Sequence, residues 1–244
     1  MKHIQIFLVL VSAFLYHDLP AQTFISKGMI EYEVKENNHK VMGDGFWANM
    51  MRDRTPKLST YYYKLTFDAD KSIYGFDRKD EKTKIPWNSG GDEENIWFND
   101  YANDIFVQKK NVFGENYIIS DSLLKMNWKM TNETREIAGF NCRKAVGKLF
   151  DSVYVFAFYT DEITVSGGPM SLHGLPGMIL GITIPRMFKS WVATKVEVNG
   201  VDTKKIVAPT KGKKKKAKEL LPTIVELSKD WGNWGRRAVW DIFL

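Results

Sequence analysis

Between Met29 and Val198 apolar side chains recur at every second position, in short runs broken by Gly, Asn, Asp and Pro. A period of two sends alternate side chains to opposite faces of a pleated backbone, and no helix gathers them onto one side. Met29-Ile30-Glu31-Tyr32-Glu33-Val34 reads as a strand with one wet face, and Tyr61, Tyr63, Leu65 and Phe67 alternate with Tyr62, Lys64 and Thr66 in a second. The consecutive tyrosines are read as the two faces of that strand rather than as a binding platform. Ser72 to Phe76 extends the series. Ile96-Trp97-Phe98, Ile105-Phe106-Val107 and Tyr117-Ile118-Ile119 follow at the spacing of an antiparallel meander. Leu124, Met126, Trp128 and Met130 predict a half-buried strand, and Trp191 to Val198 predicts another.

Two runs break the alternation. Val153 to Tyr159 and Met178 to Ile184 are apolar on both faces, which implies strands that are covered on both sides or that line a cavity. Val41 to Pro56 reads as a loop or short helix, and Pro86, Asn88, Gly90, Gly91 and Asp92 mark a polar connection. After Pro209, Leu220, Leu221, Ile224, Val225 and Leu227 fit a helical face, with Pro222 tolerable only near the first turn. The expected fold is mainly β: a curved antiparallel sheet or partly open barrel with a C-terminal helix. Nothing in the middle of the chain reads as a linker, so residues 22–200 are expected to form one β domain and 201–244 a basic segment carrying the helix.

The first residues address the chain. Met1-Lys2-His3 precede an apolar stretch, Ile4 to Tyr16, that is shorter than the ~20 residues a membrane span needs. His17-Asp18-Leu19-Pro20-Ala21 then closes it with a small residue, so residues 1–21 read as an export signal cleaved after Ala21. The expected location is periplasmic or outer-membrane associated. Cys142, the one cysteine, cannot form an intrachain disulfide and is expected to be buried. Residues 22–201 contain 23 Lys plus Arg and 23 Asp plus Glu, whereas residues 202–244 contain 11 and 5. The excess charge therefore sits at the C-terminal end, where Lys211, Lys213, Lys214, Lys215, Lys216 and Lys218 could meet an anionic membrane surface or stay a solvated tail. The run lacks the interleaved aromatics that stack bases, which argues against nucleic acid.

The most distinctive stretch is Gly167-Gly168-Pro169-Met170-Ser171-Leu172-His173-Gly174-Leu175-Pro176-Gly177-Met178-Ile179. Pro176 presets a tight turn and Gly177 can take the positive φ that such a turn demands. Gly174 through Ile179 resembles the signature of the GLPGLI family of exported Bacteroidetes proteins, with Met178 the one departure. Ile137 to Ala145, which holds Cys142, resembles that family's upstream Cys-containing segment. Phe158 to Ile163 resembles the strand end before its Gly-Pro pair, here Gly168-Pro169. The resemblance implies an exported, mostly β protein of poorly established molecular role.

No Gly-x-Ser-x-Gly elbow, His-Glu-x-x-His helix or phosphate-cradling glycine loop is present. The favoured expectation is a non-enzymatic binding or carrier protein of the cell envelope, without a cofactor. It would hold a lipid, a peptide or an outer-membrane transporter partner on a concave apolar surface. Two alternatives stand beside it. A copper-type site would use Cys142, His173, Met170 and Met178; a hydrolase would use His173, with Ser171, Asp161 and Glu162 nearby. N-terminal sequencing of the exported protein is expected to begin at Gln22, and an intact Met1 would refute the signal.

Overall fold

The structure, a computed structural model, describes residues 24–83, 91–112, 114–150, 152–231, 235, 237, 239 and 240. Residues 1–21, read above as an export signal, and Trp234 lie outside the described residues. So does most of the polar connection, including Pro86, Asn88 and Gly90.

Among the described residues twelve strands form one sheet. The first six are β1 (Lys27–Asn37), β2 (Leu58–Asp68), β3 (Lys71–Lys79), β4 (Ile96–Asp100), β5 (Ile105–Val112) and β6 (Glu115–Ser122). The others are β7 (Lys129–Ile137), β8 (Phe140–Leu149), β9 (Val153–Thr160), β10 (Met178–Ile184), β11 (Lys189–Glu197) and β12 (Lys213–Lys216). Their spatial order is β12-β6-β5-β4-β3-β2-β1-β11-β10-β9-β8-β7, and every neighbouring pair is antiparallel except β12 with β6. The fold is thus two meanders, β1 to β6 and β7 to β11, joined along one seam where β1 pairs with β11 from Met29↔Glu197 to Glu36↔Lys189. Bulges at Glu31/Tyr32, Tyr62/Tyr63 and Ile179/Gly181 add local twist to a sheet that already turns about 20–25° per strand. The mainly β, curved-sheet expectation holds, and so does the C-terminal helix.

Two short helices, α1 (Asn38–Met42) and α2 (Phe46–Arg52), connect β1 to β2. The C-terminal helix α3 (Ala217–Ser228) lays Leu220 and Ile224 on Val112 and Ile119 at one end of the sheet's inner face. Pro222 falls in its second turn rather than its first. Leu221, Val225 and Leu227 are exposed, so only part of the predicted apolar face is buried.

Leu124 to Met130 does not form the predicted strand. Residues 123–128 cross extended from β6 to β7, at opposite ends of the sheet, and have no ladder neighbour. Only half of the predicted face is covered: Met126 and Trp128 lie against the core, whereas Leu124 is 47% exposed and Met130, already in β7, 54% exposed. Alternation reports an extended backbone facing a core, and pairing is a separate, tertiary fact. The lysine run likewise becomes strand β12 rather than a free tail.

The core occupies the inner face. Ile30, Tyr32, Leu65, Phe67 and Tyr74 come from the first meander, and Ala145, Val155, Ala157, Ile182 and Ile184 from the second, all essentially without solvent contact. The connection from β9 to β10, residues 161–177, inserts into the same cluster through Ile163, Val165, Met170, Leu172 and Leu175. Each such apolar side chain contributes roughly 1.5–3 kcal/mol on burial. A buried loop must also satisfy its backbone polar groups. Ile179 N donates to Gly167 O at 2.8 Å and Met178 N to Ile163 O at 3.1 Å. Three side chains from elsewhere complete the set: Tyr32 Oη donates to Ile179 O at 2.6 Å, Asn99 Nδ2 to Met170 O at 2.7 Å and Trp128 Nε1 to His173 O at 2.8 Å.

The expected turn at Pro176 is present in a tighter form, with Gly177 N donating to Leu175 O at 2.8 Å. Gly177 has φ +134°, and a Cβ there would overlap the Thr160 carbonyl. Gly177→Ala is expected to cost about 2–4 kcal/mol in urea unfolding. Gly139→Ala, at φ +83° in open space, should cost about 1–2 kcal/mol. Equal losses would mean that the close approach at Gly177 constrains nothing.

Candidate functional site

The residues singled out by sequence are placed in the core or tied to the inserted loop. Met178 and Ile179 are fully buried, Leu175 is 1% exposed, and Gly168 sits against Ile179 with Pro169 beside it. His173 has Nδ1 3.2 Å from Ser171 O, and its ring lies 6.2 Å from that of Tyr101. Gly174 N donates to Ser166 Oγ at 3.1 Å. Asp161 is held by Arg143 at the surface. The hydrolase reading of His173 therefore gives way to a loop-anchoring one.

Cys142 is buried, its thiol donates to Phe140 O at 3.5 Å, and desolvation pushes its pKa up to about 12. A protonated thiol is a poor metal ligand. Among the described residues no three His, Cys, Asp or Glu side chains converge as metal ligands.

The carrier reading is corrected on similar grounds. β10 is indeed buried on both faces, but the inner face beside it is filled by Met170, Leu172 and Leu175 of the chain itself. β10 covers an inserted loop and does not line a lipid cavity, and β9, against expectation, is not covered on both faces, with Tyr154 54% exposed.

A different cavity lies on the inner face where β11, β1, β2, β3, β4 and β5 run side by side. It has a volume of about 110 Å³ and opens to solvent. The registers assemble its walls. Val34 of β1 stands opposite Tyr61 and Trp191, Glu36 opposite Lys189, Tyr63 opposite Phe76, and Tyr74 opposite Trp97. Tyr63 and Tyr74 stack at 5.1 Å with 10° between their planes, and Tyr74 meets Trp97 at 5.4 Å. Such aromatic pairs add about 0.5–1.5 kcal/mol beyond area burial and hold the rings in fixed orientations.

Charges edge this aromatic floor. Lys189 Nζ is 3.5 Å from Glu36, and Glu93 pairs with Lys79 at 2.8 Å. Lys110, only 6% exposed, sets its ammonium 5.1 Å above the Trp97 ring, a cation–π placement that offsets part of its desolvation. Burial pushes the Tyr74 phenol well above its ordinary pKa, so it stays protonated as a donor. Trp97, 6% exposed, has its Nε1 buried without an acceptor among the described residues. An unsatisfied buried donor costs about 1–3 kcal/mol.

Sequence reasoning missed this site. Tyr62 is the outward residue of its trio and lies under the Arg78 guanidinium, 3.9 Å away, while Tyr61 and Tyr63 face the cavity. The signal was the company they keep: Glu36, two residues beyond Val34, falls on the same inner face. A purely packed face would have no reason to end on a carboxylate.

The fold and site define a curved β-sheet domain with an aromatic, charge-edged cavity on its inner face. A family model described as "N-glycanase peptide, N-terminal domain" matches residues 103–221, from just before β5 into α3. No curated protein matches the chain. Among solved structures, PNGF-II in a P21 crystal form is 19% identical with a TM-score of 0.50, covering 85% of this chain and 34% of that one. The same protein in a C2 form gives 19% identity and a TM-score of 0.51, covering 85% and 33%. This chain thus spans about a third of PNGF-II, and at that identity the likeness is one of fold.

These findings overturn the GLPGLI resemblance, because the matching family model covers the whole Gly174–Ile179 stretch and belongs elsewhere. The hexapeptide encodes a buried tight turn feeding a strand, a demand set by geometry that different proteins can meet. The carrier and copper-type expectations fall with it, as does a role beside an outer-membrane transporter.

The buried Cys142 thiol is expected to ignore Ellman's reagent in the native protein near pH 8 and to react stoichiometrically once denatured. Full reaction in the native state would contradict its burial.

Proposed function

We propose that this chain is an exported, non-catalytic glycan-recognition domain that seats one face of a sugar ring on the aromatic floor of the inner cavity. The carrying observation is the combination at one place of Tyr61, Tyr63, Trp97 and Trp191 with Glu36, Lys189 and Lys110. A pyranose has a C–H face and a rim of hydroxyls. The first packs on aromatic carbon, and the second pairs with carboxylates, ammoniums and donors such as Trp97 Nε1. A cavity of about 110 Å³ holds part of one ring and leaves the rest of an oligosaccharide in solvent. The match to an N-glycanase N-terminal domain supports a glycan over other ligands of this shape. The leader at residues 1–21 supports export, where such glycans are met.

Calorimetric titration with a free N-glycan oligosaccharide tests the reading. Tyr61→Ala and Glu36→Gln are each expected to weaken binding about tenfold, at unchanged melting temperature. Failure of the unmodified protein to bind, or variants that bind equally well, would refute the site. Glycan released from a glycopeptide by the purified chain would refute the non-catalytic assignment.

A further inference from the structure

Between residues 204 and 218 there are eight lysines and no acidic residue. Lys213 is tied to Glu115 at 2.6 Å and Lys205 lies 3.9 Å from Asp202. Lys214, Lys215, Lys216 and Lys218 are exposed without an ion-pair partner among the described residues. Four consecutive lysines in β12 point alternately to the two sides of the sheet's outermost strand, so the edge itself is basic.

Charge is only half of the observation. α3 starts directly from this strand, with Glu219 accepting from Lys216 N–H at 3.4 Å across its first turn. Having buried Leu220 and Ile224 inward, the helix leaves Leu221 40% and Val225 48% exposed. Residues 218, 221, 225 and 229 follow one another at steps of three and four, so Lys218, Leu221, Val225 and Lys229 share one flank of the helix. Among the described residues these apolar side chains, framed by lysines beside a basic strand, are left largely uncovered.

We propose that β12 and this flank of α3 form a docking surface for an anionic lipid bilayer. Lysine ammoniums would sit at the level of the phosphates, while Leu221, Val225 and the lysine stems enter the headgroup boundary. The apolar pair selects this occupant over a soluble polyanion, which would engage the charges and leave Leu221 and Val225 in water. Attachment would be peripheral, since among the described residues no helix is long and apolar enough to cross a membrane.

Co-sedimentation of the full chain with vesicles tests this, at about 0.15 M salt, where exposed charges more than ~8 Å apart are screened. Vesicles of phosphatidylcholine doped with about a quarter phosphatidylglycerol are expected to bind the protein, and pure phosphatidylcholine is not. Lys214→Glu with Lys216→Glu should lower the partition about tenfold or more. Leu221→Gln with Val225→Gln should lower it severalfold while leaving dextran sulfate binding unchanged. All four positions are exposed, and melting temperatures check that the variants fold. Three outcomes would overturn the proposal: no binding to anionic vesicles, equal binding to neutral ones, or vesicle binding indifferent to the Leu221 and Val225 changes. The first would leave β12 as a charged guard against edge-to-edge pairing; the last would make it a site for soluble polyanions.

Discussion

Everything in this fold leans on the satisfaction of one buried loop. A segment of irregular backbone inside a core is tolerable only if its amides and carbonyls find partners. Residues 161–177 take side-chain donors from distant segments, Asn99 on β4 and Trp128 on the crossing before β7, and Tyr32 at the central seam bonds Ile179 O just beyond the loop, in β10. These bonds join the two meanders across the inner face, while β1 and β11 join them edge to edge. Ser72 Oγ and Tyr101 Oη, 2.8 Å apart, extend the same polar thread beneath Gly167, where the Tyr101 ring leaves no room for a side chain. Burial pushes the Tyr32 phenol well above its ordinary pKa, which keeps it a donor to Ile179 O at any moderate pH.

The cavity is a consequence of that arrangement. The inserted loop fills the inner face near β8 to β10 and stops short of the end where Tyr61, Trp191 and Lys189 stand, with Met170 forming part of the boundary. What remains open is lined by β1 to β5 and β11. Its charges are not loose surface ions: Glu36 and Lys189 face each other across the β1–β11 seam, and Lys110 rests above Trp97. Away from the cavity, the outer face carries an exposed ionic network in which Arg78 bonds both Glu31 and Asp77 and holds the Glu31 carboxyl below its usual range. Exposed pairs of this kind contribute little to stability and are screened by salt.

The comparisons and the site converge without being the same kind of argument. The family match covers 103–221, whereas much of the cavity wall comes from β1 to β3, upstream of it. The fold likeness to PNGF-II extends over 85% of the chain and reaches those strands. The short Gly-Leu-Pro-Gly stretch pointed to another family because a tight buried turn imposes nearly the same residues wherever it occurs. Pro176 and Gly177 are there for backbone geometry, and geometry does not name a function.

Period-two patterning and short apolar runs marked β1 to β6 and β9 to β11, and the local meander of β4 to β6, because facing a core is written into each strand's own residues and hairpin neighbours are close in sequence; β7, β8 and β12, rich in charged residues, escaped it. Residue type, rather than pattern, placed Cys142 in the interior and marked Gly177 as a positive-φ turn. Only the tertiary structure decided the β1–β11 seam, the parallel return of β12 and the lack of a ladder partner for residues 123–128. Each of these concerns which distant segment lies alongside, and side-chain alternation is silent on that. The site falls on the same side of the line. Tyr61, Trp97, Lys110 and Lys189 carry no shared motif, and they become neighbours only through the registers of six adjacent strands.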